Sequence, residues 1–391
     1  MRKCYHFIHV APCFVDLTRE TGGVANVVRR ICLILRQRGY SVTLICTNTE
    51  LGKIVADSRS YISDEGIFVH IVSQNKNPLT GPYRNVTKAM KQACETTDSS
   101  LVLGHVHTCF SCQTEAAMSF FSKNSIPFVF SPHGKLSPNM FGQHRLAKTA
   151  WWWFIARKLV MQSRLIGLLA RNESILFKRL GISAPTIVIP NGFVAEAVEY
   201  HEIVEIPEKY ILYLGYLDPR KQPEFLVKSF AKAQASKTHK LVLAGPDSYG
   251  FKKRINEVAV YEGVADSVIF WGGAYEAMKW LLLKRASFLC LPSLGEGHPI
   301  VLCEALGAGI PSIYSADCNF PEIAERGAGI LLENFDASSW AQAIDDLAFD
   351  ENKRVSMCNS SRLMASEFTW EAVIDKWENA YLECLQQRSP I

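Results

Sequence analysis

The chain lacks several features that would each assign it to a class. It has no run of about 20 uncharged apolar residues, so no stretch reads as a membrane-spanning helix. No Gly-x-Gly-x-x-Gly follows an apolar run, which argues against the dinucleotide fingerprint of oxidoreductases. No Asp-x-Asp pair occurs to cradle a divalent ion. Cys109 and Cys112 form a Cys-x-x-Cys beside His105 and His107, but no second Cys-x-x-Cys closes a tetrahedral zinc site, so no metal is expected. Strand alternation sends His105 and His107 to one face, with His107 at a strand end and the cysteines packed beyond. The basic and then apolar start, Met1 to Val10, is interrupted by His6 and His9. It leads into Ala11-Pro12 with no cleavage-like site, and so reads as a strand. Acidic residues are scarce over residues 135–179, where Glu173 stands alone among nine cations.

What is present describes a two-domain globular protein. At 391 residues and 43.8 kDa the chain is too long for one ordinary core. Its 48% hydrophobic and 20% charged content fits a folded chain, and a net charge of +4 does not call for a nucleic-acid partner. Of the 12 cysteines, Cys4, Cys32, Cys46, Cys290 and Cys303 lie inside apolar runs, which points to a reducing compartment and a cytoplasmic protein. Short continuous apolar runs alternate with amphipathic stretches, the pattern of parallel strands covered by helices on both faces. The expected division is a first α/β domain over 1–195, an acidic linker over 196–208, and a second α/β domain over 209–369. A terminal helix follows within 370–391.

The most informative stretch is 293–309, Ser-Leu-Gly-Glu-Gly-His-Pro-Ile-Val-Leu-Cys-Glu-Ala-Leu-Gly-Ala-Gly. It follows the apolar run Phe288 to Leu291 and reads as strand, tight loop and helix, with Pro299 in the first turn. Glu296 lies in the loop and Glu304 in the second turn. At about 1.5 Å rise per residue both can reach one ligand lying across the helix start. Free N–H groups there suit a phosphate and the carboxylates suit hydroxyls, which implies a ligand carrying both. A buried Glu304 also demands a polar ligand or partner.

Glu296, Glu304 and the following Ala305-Leu306-Gly307-Ala308-Gly309-Ile310-Pro311 resemble the signature of the retaining glycosyltransferase family 4, which has the GT-B fold. That resemblance implies two doubly wound Rossmann-like domains facing each other across a cleft, with the last helix returning to the first domain. It implies that Glu296 holds the hydroxyls of a donor sugar at the reaction centre and Glu304 the ribose hydroxyls. The phosphates fall to main-chain N–H groups over Gly297, His298, Ile300 and Val301. Pro299 departs from the family pattern and donates no N–H.

Other stretches join this reading. Ser131-Pro132-His133-Gly134 follows the strand Phe128 to Phe130, and by resemblance His133 contacts the donor sugar beside the reaction centre. Gly22 and Gly23 open an amphipathic helix and correspond to the family's Gly-Gly loop near the donor phosphate. In Gly215-Tyr216-Leu217-Asp218-Pro219-Arg220-Lys221, Lys221 matches a diphosphate-gripping cation. Tyr216 replaces the family's Arg, and Arg220 stands in for that charge.

The function so implied is retaining transfer of a hexose from a nucleoside-diphosphate sugar to an acceptor hydroxyl on a glycan or lipid-linked molecule, without metal or cofactor, of the kind that builds bacterial surface polysaccharide and lipopolysaccharide. Retention fits attack on the face that the phosphate leaves, and double displacement remains the competing route. A sugar-nucleotide epimerase, a phosphorylase and a non-catalytic sugar-nucleotide sensor are the alternatives. Trp151-Trp152-Trp153-Phe154 cannot all enter one core. Amid the cations of 135–179 they suggest peripheral contact with an anionic membrane.

Overall fold

A computed structural model describes residues 5–19, 23–50, 53–73, 81–95, 101–136, 145–194, 205–247 and 250–386. The chain forms two compact units, Met1–Pro190 with Trp370–Ile391, and Asn191–Thr369. The first division falls at Pro190, earlier than residue 195. Asn191 Nδ2 donates to the main-chain oxygen of His298 at 2.8 Å, and Phe193 N–H to that of Phe368 at 2.9 Å, so these residues pack with the second unit. Residues 196–204 of the expected linker lie outside the described residues.

In the first unit eight strands form one sheet, in the order Thr186–Val188, Leu165–Leu168, Phe128–Ser131, Leu101–His107, Tyr5–Ala11, Ser41–Thr47, Phe68–Val72 and Arg59–Ile62. All neighbours are parallel except the last pair. The inner strands are buried nearly throughout, because helices cover both faces. Helix Gly23–Gln37 turns Ala25, Val27, Val28, Ile31, Cys32 and Leu35 inward at helical spacing. The final helix, Trp370–Gln386, lies in this same unit. Its Glu378 accepts from the Tyr40 hydroxyl and pairs with Arg38, and Arg38 also meets Asp375 at 2.6 Å.

The second unit has a six-stranded, wholly parallel sheet in the order Val268–Gly272, Lys240–Ala244, Tyr210–Leu214, Phe288–Leu291, Ser312–Ser315 and Gly329–Leu332. Gly245 ends its strand at φ +150°, where an added Cβ would stand 1.8 Å from the Gly215 oxygen. Only glycine lets these two strand ends approach so closely.

The parallel strands of each sheet reverse their order once. In the first unit the reversal lies between Tyr5–Ala11 and Leu101–His107, and in the second between Tyr210–Leu214 and Phe288–Leu291. Open α/β sheets bind ligands outside the carboxyl ends of the strands at such a switch point. The loops leaving Leu214 and Leu291 carry Lys221 and Glu296.

Candidate functional site

In the second unit the two switch-point loops are tied together. Leu294 N–H donates to the Arg220 oxygen at 2.7 Å, and the Lys221 ammonium pairs with the Glu296 carboxylate. Asp218 fixes the first loop by accepting from the N–H groups of Arg220 and Lys221 at 2.8 and 3.2 Å, a cap for the short turn Pro219–Lys221. Glu296 is held at its backbone, whose N–H donates to Asp317 and whose oxygen accepts from Asn319. Lys221 and Glu296 side chains are about one-fifth exposed, so the pair is sheltered yet open to a ligand. Arg220 differs. Its guanidinium is 69% exposed and lies 3.6 Å from Asp218, so the expected stand-in for the missing cation points to solvent beside an acid.

Helix Ile300–Ala308 starts one residue later than expected. Pro299 is its N-cap in extended conformation, and the first-turn N–H groups begin at Ile300 and Val301, ahead of any intrahelical acceptor. Glu304 is buried, as its apolar neighbours require, and its partner is Lys279 of helix Glu276–Arg285 at 2.6 Å. Lys279 escapes a reading of the sequence alone; its one signal is a cation inside the otherwise apolar run Met-Lys-Trp-Leu-Leu-Leu. The side chain of His298, whose main chain alone the resemblance assigns to the phosphates, is turned into the core. It is buried against Phe320, with ring centroids 4.2 Å apart, and contacts Cys303 Sγ. Burial lowers its pKa to about 3, so its imidazole packs the core as a neutral ring and only its backbone is available to a ligand. Gly297 is half-buried in the loop between.

In the first unit Gly23 is the exposed first residue of its helix, with open space where a Cβ would project, while Gly22 lies outside the described residues. His133 follows its strand with φ +51°, a left-handed conformation that costs a non-glycine residue about 1 kcal/mol. Its Nε2 lies 3.0 Å from His107 Nδ1. His107 is wholly buried and not at an open edge. The next contact, 3.1 Å from its Nε2 to His9 Nδ1, reaches the neighbouring strand. His105 sits opposite His9 in the strand register and engages the Tyr381 hydroxyl at 2.6 Å and Ser131 Oγ at 2.8 Å. Burial lowers the pKa of His9 to about 3 and of His133, helped by Lys135, to about 4. Burial, with repulsion from His9 and His133, also lowers the pKa of His105 and His107 well below the usual imidazole value. The group whose nitrogens approach within 4.8 Å of one another is therefore His9, His105 and His107, and Cys109 and Cys112 take no part in it.

The aromatic stretch divides as helical geometry requires. Trp152 is buried, while Trp153, Phe154 and Ile155 are exposed along a π-helical turn, Trp152–Ala156. The Arg157 guanidinium stands 5.4 Å from the centre of the Trp153 ring. Glu173, the lone acid of this region, is buried and accepts from Leu169 N–H at 2.7 Å.

Comparison with known proteins agrees with this architecture. A model described as Glycosyltransferase Family 4 matches residues 21–196, and one described as Glycosyl transferases group 1 matches residues 197–364. The chain is 22% identical to a D-inositol 3-phosphate glycosyltransferase of Stackebrandtia nassauensis over 98% of this chain and 91% of that one. Among solved structures it is similar to sucrose-phosphate synthase from Thermosynechococcus elongatus, with 17% identity, TM-score 0.78, and 97% and 98% of the two chains covered. It is likewise similar to Anabaena Alr3699/HepE in complex with UDP-glucose, with 18% identity, TM-score 0.74, and 97% and 99% covered. No helix among the described residues is long and apolar enough to cross a membrane. Two family models that follow one another along residues 21–364, one per sheet-bearing unit, make this chain a GT-B glycosyltransferase of group 1 and family 4.

Proposed function

We propose that the second unit binds a nucleoside-diphosphate hexose and that the enzyme transfers the hexose, with retention, to a hydroxyl of a glycan or lipid-linked acceptor. The observation that carries this is the pair of sheltered ion pairs, Lys221 with Glu296 and Lys279 with Glu304, on the elements that flank the switch point. A ligand with adjoining hydroxyls and phosphates suits both halves of each pair. Glu296 and Glu304 accept from hydroxyls, while Lys221 and the N–H groups of Ile300 and Val301 meet negative phosphate oxygens. The same charges stabilise the leaving diphosphate as the glycosidic bond breaks. In this reading His133 and Glu296 contact the transferred sugar, and a leaving group so neutralised needs no metal.

Support also comes from the similar fold that holds UDP-glucose in Anabaena Alr3699/HepE. The exposed Trp153 and Phe154 amid cations fit a lipid-linked acceptor presented at an anionic membrane surface, as in surface-polysaccharide assembly. The experiment is a thermal-shift screen of nucleoside diphosphates and their sugars, followed by nucleoside-diphosphate release from the best donor with and without acceptor extracts. Donor-dependent stabilisation and acceptor-dependent release are expected. Stabilisation without any release would make the protein a sugar-nucleotide sensor, and release of sugar phosphate or an epimerised sugar nucleotide would point to the other enzyme classes.

A further inference from the structure

Three imidazoles run in series from inside the first sheet to His133. His9 Nδ1 faces His107 Nε2 at 3.1 Å, and His107 Nδ1 faces His133 Nε2 at 3.0 Å. The inner end is closed, since His9 is 0% exposed and its Nε2 has no hydrogen-bond partner. The outer end is open, since His133 is half-buried and no hydrogen bond to its Nδ1 occurs among the described residues. His105 lies against His107, tilted, with centroids 3.9 Å apart, but stands outside the series, because Tyr381 and Ser131 occupy its two nitrogens.

A neutral imidazole carries one N–H and one lone pair, so a series of three has only two consistent directions. If the protons point inward, His133 donates to His107, His107 donates to His9, and His9 Nε2–H is left as an unpaired donor in the core. If they point outward, His9 donates to His107 and His107 donates to His133, which leaves only a lone pair at the closed end. Orphaned buried N–H groups are rarer than orphaned acceptors, so the outward direction wins. The low proton affinities of these buried rings keep all three neutral, which the scheme requires.

We propose that His9 and His107 are positioning residues that hold His133 in its Nδ1–H form, so that the ring offers a hydrogen-bond donor to an oxygen of the bound sugar. This rests on the reading that His133 faces the donor. His133 itself stays unionised and neither gives up nor takes a proton; its task is to hold a hydroxyl oxygen in place. The left-handed backbone at His133 turns the ring back onto the series, an observed strain consistent with a positioned group.

The test uses the full chain labelled with [15N]histidine, in which His133→Gln identifies one of ten ring systems. Long-range proton–nitrogen correlation at neutral pH should show His133 with its proton on Nδ1. In His107→Phe that preference should be lost, and turnover should fall about tenfold with the donor KM little changed. His107→Asn, whose amide nitrogen stands near the lost Nδ1, should restore both. A proton on Nε2 in the unaltered protein overturns the proposal, as does a His133 tautomer indifferent to His107→Phe. Stoichiometric zinc in the purified protein, with chelation altering the His9, His105 and His107 signals, would overturn it in favour of a metal site. If the tautomer is as stated but His133→Gln leaves turnover intact, the relay stands and the sugar contact assigned to His133 falls.

Discussion

Lys279 Nζ and Glu304 Oε1 meet at 2.6 Å with only 12% and 11% of their side chains exposed, joining the helix before the Phe288–Leu291 strand to the helix after it. A charge this sheltered is costly to leave alone, and removing one partner of a buried pair destabilises more than removing both. Lys279→Met should therefore lower the melting temperature more than the double variant Lys279→Met, Glu304→Leu. Donor binding should be weakened in both, because Glu304 is either displaced or absent. If the double variant binds donor as the unaltered protein does, the pair is a structural brace and not part of the site.

Lys221 carries a second prediction. Its ammonium is the sheltered cation on the loop after Tyr210–Leu214, whereas Arg220 is turned to solvent. Lys221→Ala should reduce donor turnover at least tenfold, about 1.4 kcal/mol of transition-state stabilisation, and Glu304→Ala should do likewise. Arg220→Ala should cost far less. Steady-state kinetics of the three variants decides it, and equal losses at Arg220 and Lys221 would restore Arg220 to the phosphate site.

Chelation gives a third. If Lys221 and the start of helix Ile300–Ala308 meet the diphosphate charge as proposed, EDTA should leave activity unchanged. Complete loss in EDTA, reversed by a divalent ion, would mean that a metal neutralises the leaving group.

Much of this was readable from residue order, and the reasons for the exceptions are physical. The strand, loop and helix over 293–309 are legible because Phe288 to Leu291 is a short apolar run and Pro299 marks a helix start. Lys279 is not legible, since its role depends on a helix packing beside another, which no local pattern encodes. His9 is hidden for the same reason: only the parallel register sets it opposite His105. The burial of the His298 ring is not legible either, since Phe320 and Phe368, which enclose it, are distant in sequence. Helix Glu351–Ala365 is likewise not legible, since Ser361 and Met364 are its only buried residues, too few for a visible apolar stripe.

Acid stability follows from the buried rings. His6, His9, His133 and His298 bind protons in the folded state only near pH 4 or below, against 6.5 when unfolded. Their neutral forms favour the fold above pH 6.5, and each costs about 1.4 kcal/mol per pH unit as pH falls from 6.5 toward the folded value. Glu115 and Glu173, raised by burial to about 7 from 4.5, act oppositely and stabilise as pH falls from 7 toward 4.5. The histidines outnumber them, so urea midpoints should fall steadily between pH 6.5 and 4.5. Midpoints that hold or rise over that range would show that these rings are protonated in the fold.

The aromatic surface supplies the last prediction. Trp152 is only 1% exposed, and truncating it would open the core, so its loss says nothing about a membrane. Trp153, Phe154 and Leu146 are 52%, 84% and 87% exposed, and Lys148, Arg157 and Lys158 share their stretch of chain. Two acids lie nearby, Glu173 and Glu115, the latter hydrogen-bonded by Trp151, and burial raises the pKa of both to about 7, so little negative charge opposes those cations. Exposed aromatics in a basic surface bind anionic headgroups by apolar insertion and by charge, and the charge part is screened by salt. The protein should sediment with phosphatidylglycerol vesicles at low salt and largely detach at about 0.5 M salt, where the Debye length is a few ångströms. Trp153→Ser with Phe154→Ser should abolish sedimentation while leaving the melting temperature and turnover of a soluble acceptor analogue nearly unchanged. Equal sedimentation by that variant would assign the binding to another surface, and no sedimentation by the unaltered protein would favour a soluble acceptor.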